Sequence, residues 1–105
     1  MTCHASRDSI GGNLIKSFNC KETEKIFNKQ NSKKFPSSIH RTALRKLTII
    51  DNAFDLRDIR QLPGNYYEEL KQYNNKSSIR INDQYRILFF WNGTDAFEVE
   101  IVDYH

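Results

Sequence analysis

At 105 residues the chain has room for one domain around one modest core, and its 38% apolar and 28% charged residues set it apart from disordered chains. It carries no apolar run long enough to cross a bilayer and no secretory leader. Cys3 and Cys20 make neither a disulfide framework nor a CxxC metal knuckle, so the composition reads as a soluble cytoplasmic protein. The net charge of +3 is unevenly placed: Lys16 to Lys46 holds nine Lys or Arg against Glu22 and Glu24, whereas Leu47 to the end holds six against ten Asp or Glu. The first half is thus a cationic surface suited to a polyanion or an acidic protein, although solvated basic helices are common.

Residues 1–13 form a polar, Gly-containing stretch without periodicity and read as an extension outside the packed domain, which spans 14–105. His4 beside Cys3 is a weak metal pair. Leu14 to Phe18 reads as a short strand, and "KETEKIFNKQ" as a short helix with Ile26 and Phe27 as its apolar contacts. Pro36-Ser37-Ser38 opens a second helix with a serine cap available. Behind it Ile39, Ala43, Leu44, Leu47 and Ile50 recur at helical spacing as one buried stripe. Arg41, Arg45 and Lys46 fall largely off that stripe and read as a solvated face, with His40 also at the surface.

From Phe54 the period changes. A Pro-Gly turn, a strand around Tyr66 to Lys71 and a hairpin loop at Tyr73 to Lys76 lead into "SIRIN" and "YRILFFW", the latter with bulk on both sides. Asn92-Gly93 is a strong tight-turn dipeptide, after which "FEVEIV" returns as the last strand. Strand, two helices and then a run of antiparallel strands make an α+β fold.

Alternation places Arg80 and Asn82 on one strand face, with Arg86 across a short turn and Lys71 ending the preceding strand. Two guanidinium forks and an ammonium would suit a phosphodiester. The competing arrangement pairs Arg80 and Arg86 with Glu68, Glu69, Glu98 or Glu100 across strands. The chain ends in Tyr104 and His105, a ring that can stack on a base beside an imidazole that titrates near neutrality.

These blocks resemble the HigB branch of the RelE-like toxins, the ribosome-dependent mRNA endonucleases of bacterial toxin–antitoxin pairs. The resemblance runs from about Leu14 to His105 through "IKSF", "ETEKIF", "RTALRKL", "LPGN", "ELK", "SIRINDQYRI" and "GTDAFEVEIVDYH". It implies two N-terminal helices packed on a small, mostly antiparallel sheet, and cleavage of mRNA in the ribosomal A site with no metal or other cofactor. The RNA's own 2′-hydroxyl would attack the adjacent phosphorus while the protein positions the chain and stabilises developing charge.

Carried over by position, Lys71 matches the family's motif lysine, Arg86 its strand arginine, and Tyr104 and His105 its terminal pair, with His105 assigned to acid–base work. Arg80 would contact phosphate. Glu68 stands where some relatives have a histidine, and Asn82 where some have a second arginine; Glu68 could serve as a base or lie idle at the surface. The resemblance also implies a cognate HigA-like helix-turn-helix antitoxin. The basic Lys16–Lys46 segment, Arg45 and Lys46 included, would serve ribosomal RNA, the antitoxin or both. Leu14 falls at the family's initiator position, so a protein without residues 1–13 is expected to stay toxic. The rival readings are a RelE-like binding module that engages antitoxin or ribosome without cutting, a free RNase, for which paired histidines are missing, and a DNA-binding protein, for which no recognition helix is apparent.

Overall fold

A computed structural model of the chain describes residues 15–104. The extension at residues 1–13, with Cys3 and His4, and the terminal His105 lie outside the described residues.

Helix α1 (Lys21–Phe27) is seven residues long and buries Thr23 and Ile26. Helix α2 (Ser37–Asn52) follows the apolar stripe, burying Ile39, Ala43, Leu47 and Ile50. The serine cap is not used. Pro36 occupies the N-cap position, so Ser37 and Ser38 already lie inside the first turn, where a hydroxyl cannot reach back to cap it. His40, expected at the surface, is half-buried with Nε2 3.0 Å from the Phe35 carbonyl oxygen. A third short helix, α3 (Leu56–Arg60), has no counterpart in the sequence reading; Asp55 caps it by accepting a 3.0 Å bond from the Arg57 amide, and Ile59 anchors it. A 3-10 turn over Pro63–Asn65 then leads to the sheet.

Four strands, β1 (Glu68–Leu70), β2 (Lys76–Arg80), β3 (Tyr85–Asn92) and β4 (Asp95–Asp103), pair antiparallel in the order β1-β2-β3-β4. Strand β1 is shorter than its sequence suggests. At one end Tyr66 takes a left-handed conformation, and at the other Lys71 begins a 3-10 turn. The β1–β2 connection turns on Asn74 and Asn75, both left-handed, a conformation that asparagine tolerates. Gly93, at φ 70°, opens the two-residue β3–β4 turn where Asn92-Gly93 signals it. The stretch expected as a first strand contributes only isolated parallel bridges, Ile15 to Ala96 and Phe18 to Val99, along the outer edge of β4. A bulge in β4, with Glu98 at φ 53°, turns the Glu98 amide to the Ser17 hydroxyl.

One face of the sheet, with Ile79, Ile87, Phe89, Val99 and Ile101, shares a single apolar cluster with Ile26 of α1 and with Ile39, Ala43, Leu47 and Ile50 of α2. The Thr23 hydroxyl accepts a 2.9 Å bond from the Ile101 amide and ties α1 to β4. The architecture is α+β, and no described helix is long and apolar enough to cross a membrane. The other face of the sheet carries Ser78, Arg80, Arg86 and Lys76 together with buried Leu70 and Leu88.

Candidate functional site

Strand register makes the site. Arg80 and Arg86 are direct cross-strand partners in the β2–β3 ladder, and Glu68 is the partner of Ser78 across β1–β2. Side chains so paired project from the same face with Cβ atoms about 5 Å apart, and like charges there destabilise the sheet. Two arginines in this relation call for an anion.

Arg86 is only 7% exposed, and its guanidinium is anchored along one edge. Nε donates to Ser78 Oγ at 3.0 Å, and one terminal nitrogen, Nη2, donates to the Tyr66 carbonyl. The same Ser78 hydroxyl donates onward to the Glu68 carbonyl at 3.0 Å. Towards solvent the contact loosens: Nη1 lies 3.9 Å from the exposed Glu68 carboxylate. Burial pulls the Arg86 pKa down, with Glu68 and Tyr104 opposing, but a guanidinium stays charged regardless. The Tyr104 ring lies 5.7 Å from the Arg86 Cζ, positioned by a 2.7 Å bond from the Tyr104 amide to the Gln84 carbonyl.

Arg80 is half-buried, paired with Asp83 and 5.3 Å from the centroid of the Tyr66 ring. Of the cross-strand carboxylates that sequence offered as partners, only Glu68 reaches an arginine; Glu98 and Glu100 go to Lys76 at 3.3 and 3.2 Å.

Lys46 departs most from its sequence reading. Expected on a solvated face, it is 4% exposed and donates from Nζ to the Gly64 carbonyl oxygen at 2.5 Å, bridging α2 to the turn that carries Tyr66. Burial lowers its pKa, and Arg45, Arg80 and Arg86 push in the same direction, so these four cations share one neighbourhood. The helix arithmetic had room for this: position 46 is seven from Ile39 and three from Ala43, on the buried stripe. Its charge disguised it.

The other expected site residues divide. Glu68, Arg80, Arg86 and Tyr104 come together. Arg45 is exposed on α2 beside Lys46. Asn82 uses its side-chain oxygen to accept from the Gln84 and Tyr85 amides, at 2.9 and 2.8 Å, and so builds the β2–β3 turn. Lys71 is exposed in the 3-10 turn beyond β1, outside the Arg86 hydrogen-bond network. His105 lies outside the described residues. Three residues of the site escape the sequence reading, namely Ser78, Tyr66 and Asn65. Asn65, 1% exposed, donates from Nδ2 to the Ile59 carbonyl at 2.9 Å and locks the turn. Asn65 is the last letter of "LPGN" and Ser78 the first of "SIRIN", whereas no motif marks Tyr66. Among the described residues no three His, Cys, Asp or Glu side chains gather as metal ligands.

Comparison with known proteins identifies the family. Residues 16–105 match the family described as the RelE-like toxin of the type II toxin–antitoxin system HigB. Toxin HigB-1 of Vibrio cholerae is 46% identical over 57 residues, which cover 53% of this chain and 60% of that protein. An uncharacterized protein of Haemophilus influenzae is 35% identical over 64 residues, covering 60% of this chain and 63% of that one. Both alignments span less than two thirds of the relative's length. The family match, which spans most of the chain, is the broader finding: this protein belongs to the HigB-like, RelE-like toxins of type II toxin–antitoxin systems.

Proposed function

We propose that this protein is the toxin of a type II toxin–antitoxin pair and that it cleaves mRNA in the ribosomal A site, blocking translation in the cytoplasm. The observation that carries the reading is the facing pair of Arg80 and Arg86, two cations held opposite each other on the sheet face away from the helices, with aromatic rings beside them. That pair suits a single-stranded polyanion with stackable bases.

In the proposed reaction the RNA's 2′-oxygen attacks the adjacent phosphorus, the bond to the 5′-oxygen breaks, and a 2′,3′-cyclic phosphate forms. One proton leaves the 2′-hydroxyl and one reaches the departing 5′-oxygen. Arg86 is the phosphate ligand: its inner edge is fixed by Ser78 and Tyr66, while its outer nitrogen can exchange the loose Glu68 contact for a phosphate oxygen. Freed from Arg86, Glu68 takes the 2′-proton. His105 protonates the leaving oxygen, Tyr104 stacks on a base, and Lys71 and Arg80 add phosphate contacts. Arg45, with the exposed cations of the basic Lys16–Arg45 stretch, faces ribosomal RNA or a cognate HigA-like helix-turn-helix antitoxin, whereas buried Lys46 holds the turn that carries Tyr66.

One observation favours the catalytically weak binding module instead, for the Arg86 guanidinium already has protein acceptors, as a purely structural arginine would. Primer extension on a reporter mRNA translated by purified ribosomes separates the two. Codon-registered cuts that require ribosomes, and that fall about 10²–10³-fold in Arg86→Ala, support the nuclease. Absence of cuts from folded wild-type protein supports the module.

A further inference from the structure

Tyr66 is built in a way that neither a turn nor a core needs. It adopts φ 45° and ψ 57°, a left-handed conformation that bulky L residues seldom take, although Gly64 and Asn65 stand next to it in the same turn. Its backbone is held on both sides. Lys46 grips the Gly64 carbonyl, Asn65 is bonded to Ile59, and the Tyr66 carbonyl itself accepts from Arg86. The ring receives no such burial: Tyr66 is 62% exposed against 1% for Asn65. It rests 5.3 Å from the Arg80 guanidinium, a cation–π contact that fixes its orientation and leaves most of it to solvent.

We propose that Tyr66, backed by Arg80, is a nucleobase-stacking platform that holds the base next to the phosphate on Arg86. The inference rests on the RNA-cleaving reading and adds to it a binding site for one unpaired base. Arg80 and Arg86 are cross-strand partners about 5 Å apart at Cβ, so a base on Tyr66, against Arg80, and a phosphate on Arg86 are neighbours on one side of the sheet. Tyr104 lies against the other arginine of the pair. Two rings flanking two guanidiniums thus follow the alternation of base and phosphate along a strand. A rigid ring with only two side-chain torsions loses little freedom when a base lands on it, and stacking accepts any base because every base has a π-face.

The test uses ribosomes programmed with mRNA that carries fluorescent 2-aminopurine in the A-site codon and a 2′-deoxy sugar at the cleavage position, so that binding is observed without cutting. Stacking on a ring quenches this base. Wild-type protein is expected to quench it, Tyr66→Leu to lose the quench and bind about 5- to 100-fold more weakly, and Tyr66→Phe to restore both. The Leu variant keeps the backbone carbonyl that meets Arg86, and an unchanged melting temperature confirms that the fold survives. Equal quenching by the wild type and Tyr66→Leu overturns the platform. Weakened antitoxin capture by Tyr66→Leu with normal quenching also overturns it, by giving the ring to a protein partner. Cleavage of all-ribose mRNA, run in parallel, reports on the nuclease reading separately: cuts with no Tyr66-dependent quench sink the platform alone, while quench without cuts sinks the nuclease alone.

Discussion

Ser78→Ala removes one oxygen from a site with no solvent access, and the bonds made by that oxygen set the cost. The hydroxyl accepts from Arg86 Nε at 3.0 Å and donates to the Glu68 carbonyl at 3.0 Å, joining three strands through a single atom. Losing a bond to a charged donor costs about 1.5–3 kcal/mol and a neutral one about 0.5–1.5 kcal/mol. The lost volume is a single oxygen, so cavity terms are small beside these. Relaxation of Arg86 towards solvent through its Glu68 side returns part of the loss, leaving about 2–3 kcal/mol. For a domain of this size that is about 10–20 °C in melting temperature, at roughly 4–8 °C per kcal/mol. Urea denaturation of the wild type, Ser78→Ala, Arg86→Met and the double variant would isolate the Ser78–Arg86 coupling, expected at about 1–2 kcal/mol. Ribosome-dependent cleavage should fall about 10-fold or more in Ser78→Ala, because an arginine held at one point holds a phosphate less well. A stability loss under about 0.5 kcal/mol with no measurable coupling would refute the anchored-arginine argument.

Lys46→Met keeps the apolar stem and deletes the buried charge. Because the Lys46 pKa is lowered on folding, the unfolded chain binds this proton more tightly between the lowered value and the ordinary 10.5, so this group makes stability rise with pH across that window. Tyr67, whose pKa burial raises, contributes the opposite slope above about pH 10, so the comparison is between wild type and variant: Lys46→Met should lack the rising component, and parallel curves would contradict the burial. Leu47→Ala opens a cavity under α2 and should cost about 2–5 kcal/mol in chemical denaturation without changing the slope of the transition. Glu68→Gln leaves the sheet pairing intact but removes the proposed base; cleavage should drop about 10²-fold with ribosome binding retained, and full activity would return Glu68 to the surface. Arg80→Ala should weaken RNA binding and lower the log–log salt dependence by about one unit, a change that isothermal binding at several salt concentrations would detect.

What the sequence determined by itself is local in origin. Helical spacing marked α2 through Ile39, Ala43, Leu47 and Ile50, alternation marked β2 to β4, and Asn92-Gly93 placed the last turn, because each signal is written within a few neighbouring residues. Short elements escaped: α3 is five residues under an aspartate cap, and β1 is cut to three residues by left-handed Tyr66 and the turn at Lys71. Charge also misled where it was buried, as at Lys46. The candidate site was legible as a set of names, Glu68, Arg80, Arg86 and Tyr104, but not as an arrangement. Whether Arg80 faced Arg86 or a glutamate depended on strand register, and the bonds that hold Arg86 come from Ser78, eight residues away, and Tyr66, twenty away. Pairings over such distances are settled by which face of the sheet the core covers, since a slip of one residue would turn every one of these side chains to the other side. Only the tertiary structure, by committing Ile79 and Ile87 to the helices, could bring both arginines together on the opposite face.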